Sequence, residues 1–106
     1  MIRVAVIYPN KQDRKFDINY YINNHMPLVV KKYTPYGLIN AEIDSAKVKA
    51  GKQGAPYIAI GYMIFESTKL FMQAFQAVGN ELMADVVNFT DIEPEIQISE
   101  YHKISF

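Results

Sequence analysis

The chain has 106 residues, half of them apolar, with eleven basic and eleven acidic side chains and a net charge of zero. A chain of this size makes one domain, 1–106, with a real but thin core, and its apolar content excludes a disordered polymer. Neutral charge leaves no electrostatic footprint for nucleic acid or an anionic membrane, and the absence of cysteine excludes disulfides and thiolate chemistry.

Residues 2–8 form a β-branched-rich strand stopped by Pro9-Asn10. A polar loop, 11–15, leads to a helix with Asp17 as N-cap and Phe16 placed to staple onto the first turn. The helix runs to about Tyr33, where Pro35 and Gly37 end it. At about 100° per residue, Ile18, Tyr21, Ile22, His25, Leu28 and Val29 share one arc. Asn19, Tyr20, Asn23, Asn24 and Lys31 point the other way. Pro27 removes a backbone bond and predicts a kink just after His25.

A second strand over 38–47 alternates Asn40, Glu42 and Asp44 against Ile39, Ala41 and Ile43, as a strand with one wet face does. The basic cluster Lys47, Lys49 and Lys52 reads as a solvated loop, and after a turn at 51–56 residues 57–65 form a third strand, apolar on both faces. Ser67 then caps a second helix whose inner arc is Phe71, Phe75, Val78, Leu82 and Val86, with Gly79-Asn80 a candidate break. A loop over 88–94 leads to a last strand, 95–102. The longest apolar run, 58–65, is far too short for a membrane span, and the start lacks a signal-peptide pattern, so a cytoplasmic protein is expected.

The order β-α-β-β-α-β predicts an α+β ferredoxin-like fold, a four-stranded antiparallel sheet with two helices on one face. Helices cover one sheet face, yet the first and third strands are apolar on both. A second copy of the chain is the simplest cover, so a homodimer is expected.

Tyr20-Tyr21 followed by His25-Met26-Pro27-Leu28 resembles the most characteristic helix of the EthD family, within the dimeric α/β-barrel superfamily. Val6 to Pro9 with Phe16-Asp17, Tyr57-Ile58-Ala59-Ile60-Gly61, Met83-Ala84-Asp85, Asn88 to Pro94 and Ile96 to Ser99 are similar to other parts of that family. The loop 47–56 departs in its lysines, and the tail beyond Glu100 is extended. The resemblance implies two ferredoxin-like protomers packing their sheets into a barrel. The family is named for a component linked to degradation of an ether fuel additive, alongside a cytochrome P450 system. Superfamily relatives include cofactor-free monooxygenases, lactone isomerases, polyketide cyclases and haem-handling enzymes, so fold alone does not decide the reaction.

The candidate catalytic residues are His25, Tyr21 and Asp85. His25, inside an apolar arc, is either a satisfied core histidine or an acid/base group with an ordinary pKa of about 6.5. Tyr21, four residues earlier, is either a core aromatic or a group that orients the imidazole or bonds a substrate oxygen. Asp85 pairs with His25 or Tyr21 if the second helix is unbroken, and lies outside if it breaks at Gly79. Asn88, Thr90 and Asp91 read as loop-shaping residues, Glu93-Pro94 as structural and His102 as exposed. The two histidines lack metal-ligand spacing, and no phosphate loop or dinucleotide fingerprint is present, so neither a metal nor a cofactor is expected. Ala59 and Gly61, small residues on one face of the third strand, leave a gap over the sheet suited to an apolar or aromatic small molecule. The leading function is that of a cofactor-free oxygenase or isomerase, with His25 as acid/base in a pocket between helices and sheet. The alternatives are a non-catalytic binding or accessory protein with His25 as anchor, and haem binding through His25.

Overall fold

In the computed structural model, which describes residues 1–106, β1 (Ile2–Pro9) and β3 (Tyr57–Phe65) pair antiparallel at the centre of a four-stranded sheet. β2 (Asn40–Ser45) and β4 (Glu95–Glu100) flank them in the order β2-β3-β1-β4. Both edge strands are shorter than expected from the sequence. The extra predicted residues lie outside the terminal ladder pairs, Asn40 opposite Ile64, Ser45 opposite Ala59 and Glu100 opposite Ile2. The expected ferredoxin-like fold is the one observed.

The register sorts the two sheet faces. Val4, Val6 and Tyr8 of β1 stand opposite Met63, Gly61 and Ala59 of β3, and this face carries the main core. Ala5, Ile7, Ile60 and Ile64 lie on the other face, which no helix covers, flanked by Glu42 and Asp44 on one edge and Gln97 on the other. Ile58 is the exception. It belongs to the core cluster, and the register shifts between Tyr8 and Pro9 beside it.

The first helix covers 18–33 in three consecutive parts. It opens with a single α-turn, Ile18–Tyr20, whose N-cap Asp17 accepts a hydrogen bond from the Tyr20 backbone N–H. A π segment, Tyr21–His25, follows, and the Met26 N–H reaches back five residues to the Tyr21 carbonyl. α-helix resumes over Met26–Tyr33. Pro27 has no N–H to close a regular turn, and the backbone widens into the π segment just before it.

The widened turn corrects the predicted arc. One extra residue rotates everything after it by about 100°, so the positions that follow behave as if numbered one lower. Met26, Val29 and Tyr33 therefore continue the stripe begun by Ile18 and Tyr21, and all three are buried. Ile22, expected inside, is 43% exposed.

The second helix, Thr68–Asp85, is continuous, and Ser67 caps it by accepting from the Leu70 N–H. The candidate break at Gly79-Asn80 does not occur. Gly79 is buried instead, because the Phe75 ring lies across it; a Cβ there would stand 2.5 Å from Phe75 Cδ1. A 3-10 turn, Val86–Asn88, then hands the chain to Phe89 and Thr90, both buried. Thr90 bridges to Phe16, while its hydroxyl donates to the Lys15 carbonyl and accepts from the Ile92 N–H. Asp91 accepts from the Lys15 N–H and lies beside Arg14. These residues clamp the two loops at the ends of the helices. No helix is long and apolar enough to cross a membrane.

Candidate functional site

His25 closes the π segment and turns inward among aromatic rings. Its imidazole stacks on Tyr21 at 5.7 Å and 15° between planes, and tilts against Phe89 at 4.6 Å. Phe16 and Tyr8 extend the cluster through edge-on contacts with Tyr21 and Phe89. Phe16 precedes the cap and meets Tyr21 one turn in at 5.2 Å, which is the expected hydrophobic staple. The ring cluster holds the imidazole at 6% exposure.

A buried imidazole needs a partner, and Asp85 supplies one. Its Oδ2 lies 3.0 Å from His25 Nδ1, linking the last residue of the second helix to the first helix. Its Oδ1 accepts from the Tyr20 hydroxyl at 2.7 Å and from Asn88 Nδ2 at 2.9 Å. Continuity of the second helix through Gly79 is what brings Asp85 here, and the choice open from sequence resolves to a bond with His25, not with Tyr21.

The charges follow from this geometry. Burial pushes the His25 pKa below its ordinary value, and the bond from Asp85 opposes that shift without cancelling it. Burial also acts to raise the Asp85 pKa, but hydrogen bonds from Asn88, His25 and Tyr20 outweigh it and hold the carboxyl below the usual range. The bond to Asp85 raises the Tyr20 pKa. At neutral pH the arrangement is a neutral imidazole donating from Nδ1 to a carboxylate. That fixes the tautomer and leaves the Nε2 lone pair free, since no protein group bonds Nε2.

His25 lines a cavity of about 260 Å³ between the sheet and the two helices. Val6, Gly61 and Met63 form part of its floor, Leu82 and Val86 part of its roof, and fifteen of its nineteen lining residues are apolar. Tyr21 lines it too, with its hydroxyl directly over Gly61. The predicted gap at Gly61 is thus occupied in part by the end of the Tyr21 ring, while Ala59 lies outside the lining.

His25, Tyr21 and Asp85 therefore come together, with Asp85 one layer behind the cavity wall. Two members of the cluster were missed from sequence. Tyr20, placed on the outer face, turns its hydroxyl to Asp85. Asn88, read as a turn residue, also donates to Asp85. The adjacency of Tyr20 to Tyr21 was the available signal for the first; nothing local signalled the second. His102 is exposed, 3.6 Å from Glu100, and no group of three His, Asp or Glu side chains comes together to hold a metal.

A family model described as the EthD domain matches residues 10–93. The chain is similar to the crystal structure of an EthD-like protein from Ralstonia eutropha JMP134, with 31% identity and a TM-score of 0.83 over 93% of this chain and 89% of that one. An ethyl tert-butyl ether D (EthD) family protein from Bacillus halodurans C-125 superposes with a TM-score of 0.72 at 18% identity, over 96% of this chain and 99% of that one. HapK from Hahella chejuensis does so with a TM-score of 0.65 at 12% identity, over 100% and 97%. At such identities these two speak to the fold alone. No curated protein matches the chain. The domain match takes in the His25 helix, the third strand and the Asp85 turn together, and on that match this chain belongs to the EthD family.

Proposed function

We propose that this EthD protein processes a small apolar or aromatic molecule, and that His25 Nε2 moves a proton to or from it. The observation that carries the reading is the pairing of a partner-free Nε2, at the wall of an apolar cavity, with an Nδ1 held by a carboxylate. A base oriented this way is neutral and ready near pH 7. Proton removal opens both chemistries under consideration. An isomerase returns the proton to another carbon of the same molecule. A cofactor-free oxygenase leaves a carbanion or phenolate that passes an electron to dioxygen.

The test is proton exchange in deuterated water. Aromatic ketones and phenols with exchangeable C–H positions are incubated with the wild type and with His25→Gln, and deuterium incorporation is followed by NMR. Exchange by the wild type that drops about 10²- to 10⁴-fold in the variant supports the base. Exchange equal in the two proteins overturns it. A second reading is favoured by the bond from His25 to Asp85, which ties the two helices together. In that reading the protein binds a small molecule without turning it over, and His25 is an anchor. Ligand binding with no exchange in any protein supports it. A Soret band in the purified protein would favour haem on Nε2 instead.

The reading includes a homodimer built through the uncovered sheet face. Ala5, Ile7 and Ile60 lie on that face, each partly exposed. Covering it with a second copy removes apolar surface from water. Sedimentation at micromolar concentration should give twice the chain mass, and Ile60→Asp should give a folded monomer. A wild-type monomer would sink this part of the proposal.

A further inference from the structure

Three phenols line the cavity: Tyr8, Tyr21 and Tyr33. Tyr33 stands among Phe65 and Phe71, and burial pushes its hydroxyl up to about 12. Tyr21 stacks on His25, and Tyr8 meets Tyr21 edge to face at 5.7 Å. Both are only 1% exposed, and neither hydroxyl bonds to a protein group. The only fully enclosed polar side-chain atom lacking a partner is Arg3 Nε on the far side of the sheet, so the two hydroxyls reach open cavity space. A buried hydroxyl left without a partner is costly, and a pair of them in one apolar cavity calls for an acceptor.

The backbone is cut to fit one of them. At Gly61 a Cβ would stand 2.3 Å from the Tyr21 hydroxyl oxygen. Only a residue with no side chain allows the phenol to reach across β3 at this point. The Tyr21 ring is rigid and held by Phe16, Phe89 and His25, so it has little room to yield. Burial raises the pKa of both phenols far above the ordinary 10.0, which keeps each a donor.

We propose that the Tyr8 and Tyr21 hydroxyls form a two-donor cradle for one oxygen atom, of ketone or phenol type, on an otherwise apolar ligand. The inference rests on the reading of this cavity as a small-molecule site and names the substrate class. A carbonyl oxygen held by two donors has more acidic neighbouring C–H bonds, because the donors stabilise the enolate oxygen that forms as the proton leaves for His25 Nε2. Both phenols keep their protons throughout. Tyr8, buried on the first strand, carries no sequence signal for this role.

The test uses equilibrium binding of two probes of nearly equal shape, acetophenone and α-methylstyrene, in which a CH₂ replaces the carbonyl oxygen. A ketone has no O–H proton, so the ratio of their affinities reads the donors without needing turnover. The ratio should fall about five- to ten-fold in Tyr8→Phe and in Tyr21→Phe, the usual share of one neutral hydrogen bond, with hydrocarbon binding retained. Gly61→Ala should act like Tyr21→Phe by displacing that hydroxyl. An unchanged ratio in Tyr8→Phe and Tyr21→Phe, or binding of neither probe at millimolar concentration, would overturn the cradle. A ratio that answers to Tyr33→Phe instead would do the same. If the ratio falls as expected while no protein exchanges deuterium, the proton-transfer reading fails and the cradle stands.

Discussion

Asp85 Oδ2 lies 3.0 Å from His25 Nδ1, so a carboxylate at the end of the second helix sets the tautomer of an imidazole sixty residues earlier. The same bond docks the two helices and leaves His25 Nε2 without a protein partner at the cavity wall. Helix docking and the state of the ring are therefore coupled at one contact, and they can be pulled apart by mutation.

Replacing His25 with Ala should cost about 2 kcal/mol in denaturant unfolding, from one lost charge-assisted bond and lost ring contacts with Tyr21 and Phe89. Asp85 keeps Tyr20 and Asn88, so no carboxylate is orphaned and the loss stays moderate. A cost below about 0.5 kcal/mol would show that the pair adds nothing to helix docking.

Stability should fall as pH drops. The unfolded chain protonates His25 near its ordinary 6.5, while the folded protein holds it neutral to a lower pH. Unfolding then takes up a proton, so the contribution is complete above 6.5 and is lost as pH falls through the lower folded value. Asp85 behaves alike, starting from 3.8. Melts between pH 7 and 5 should decline in the wild type and flatten in His25→Gln. A melting temperature that rises toward pH 5 would reverse the assigned direction.

Asp85→Asn should shift the His25 titration further down, since the carboxylate is what opposes the effect of burial. It should also release the tautomer and lower any proton-exchange activity by about 10²-fold or more. Tyr20→Phe is the milder probe. Losing that donor should raise the Asp85 pKa toward its ordinary value with the fold intact. Nitrogen NMR of the imidazole and carbon NMR of the carboxyl report both shifts. A His25 pKa that climbs in Asp85→Asn would contradict the arrangement.

Gly79→Ala sets two effects against each other. Alanine improves helix propensity by about 1 kcal/mol. The new Cβ, however, would lie 2.5 Å from Phe75 Cδ1 and 3.0 Å from Cγ, near the root of the ring, so Phe75 must leave its rotamer. Overpacking costs about 1–3 kcal/mol, so the net change should be destabilising. In a Phe75→Leu background the same substitution should stabilise. Destabilisation of equal size in both backgrounds would point away from the ring.

The elements whose signals are local were legible in the sequence. β3 is the predicted 57–65, Asp17 and Ser67 cap the helices as expected, and the strand order follows from the βαββαβ pattern. Two-residue alternation and a capping side chain act over a few neighbouring residues, so they can be read from composition in a short window. The helix phase around His25 was not legible, because one bond from Met26 to Tyr21 rotates all that follows and Pro27 alone does not say whether a turn bends or widens. Tertiary structure also decided which side chains meet Asp85. Tyr20, His25 and Asn88 converge on one carboxylate through the rotation of two helices and a clamped loop, none of which is encoded near Asp85. A few tens of degrees at either helix would separate these groups, and only packing against the sheet fixes those angles.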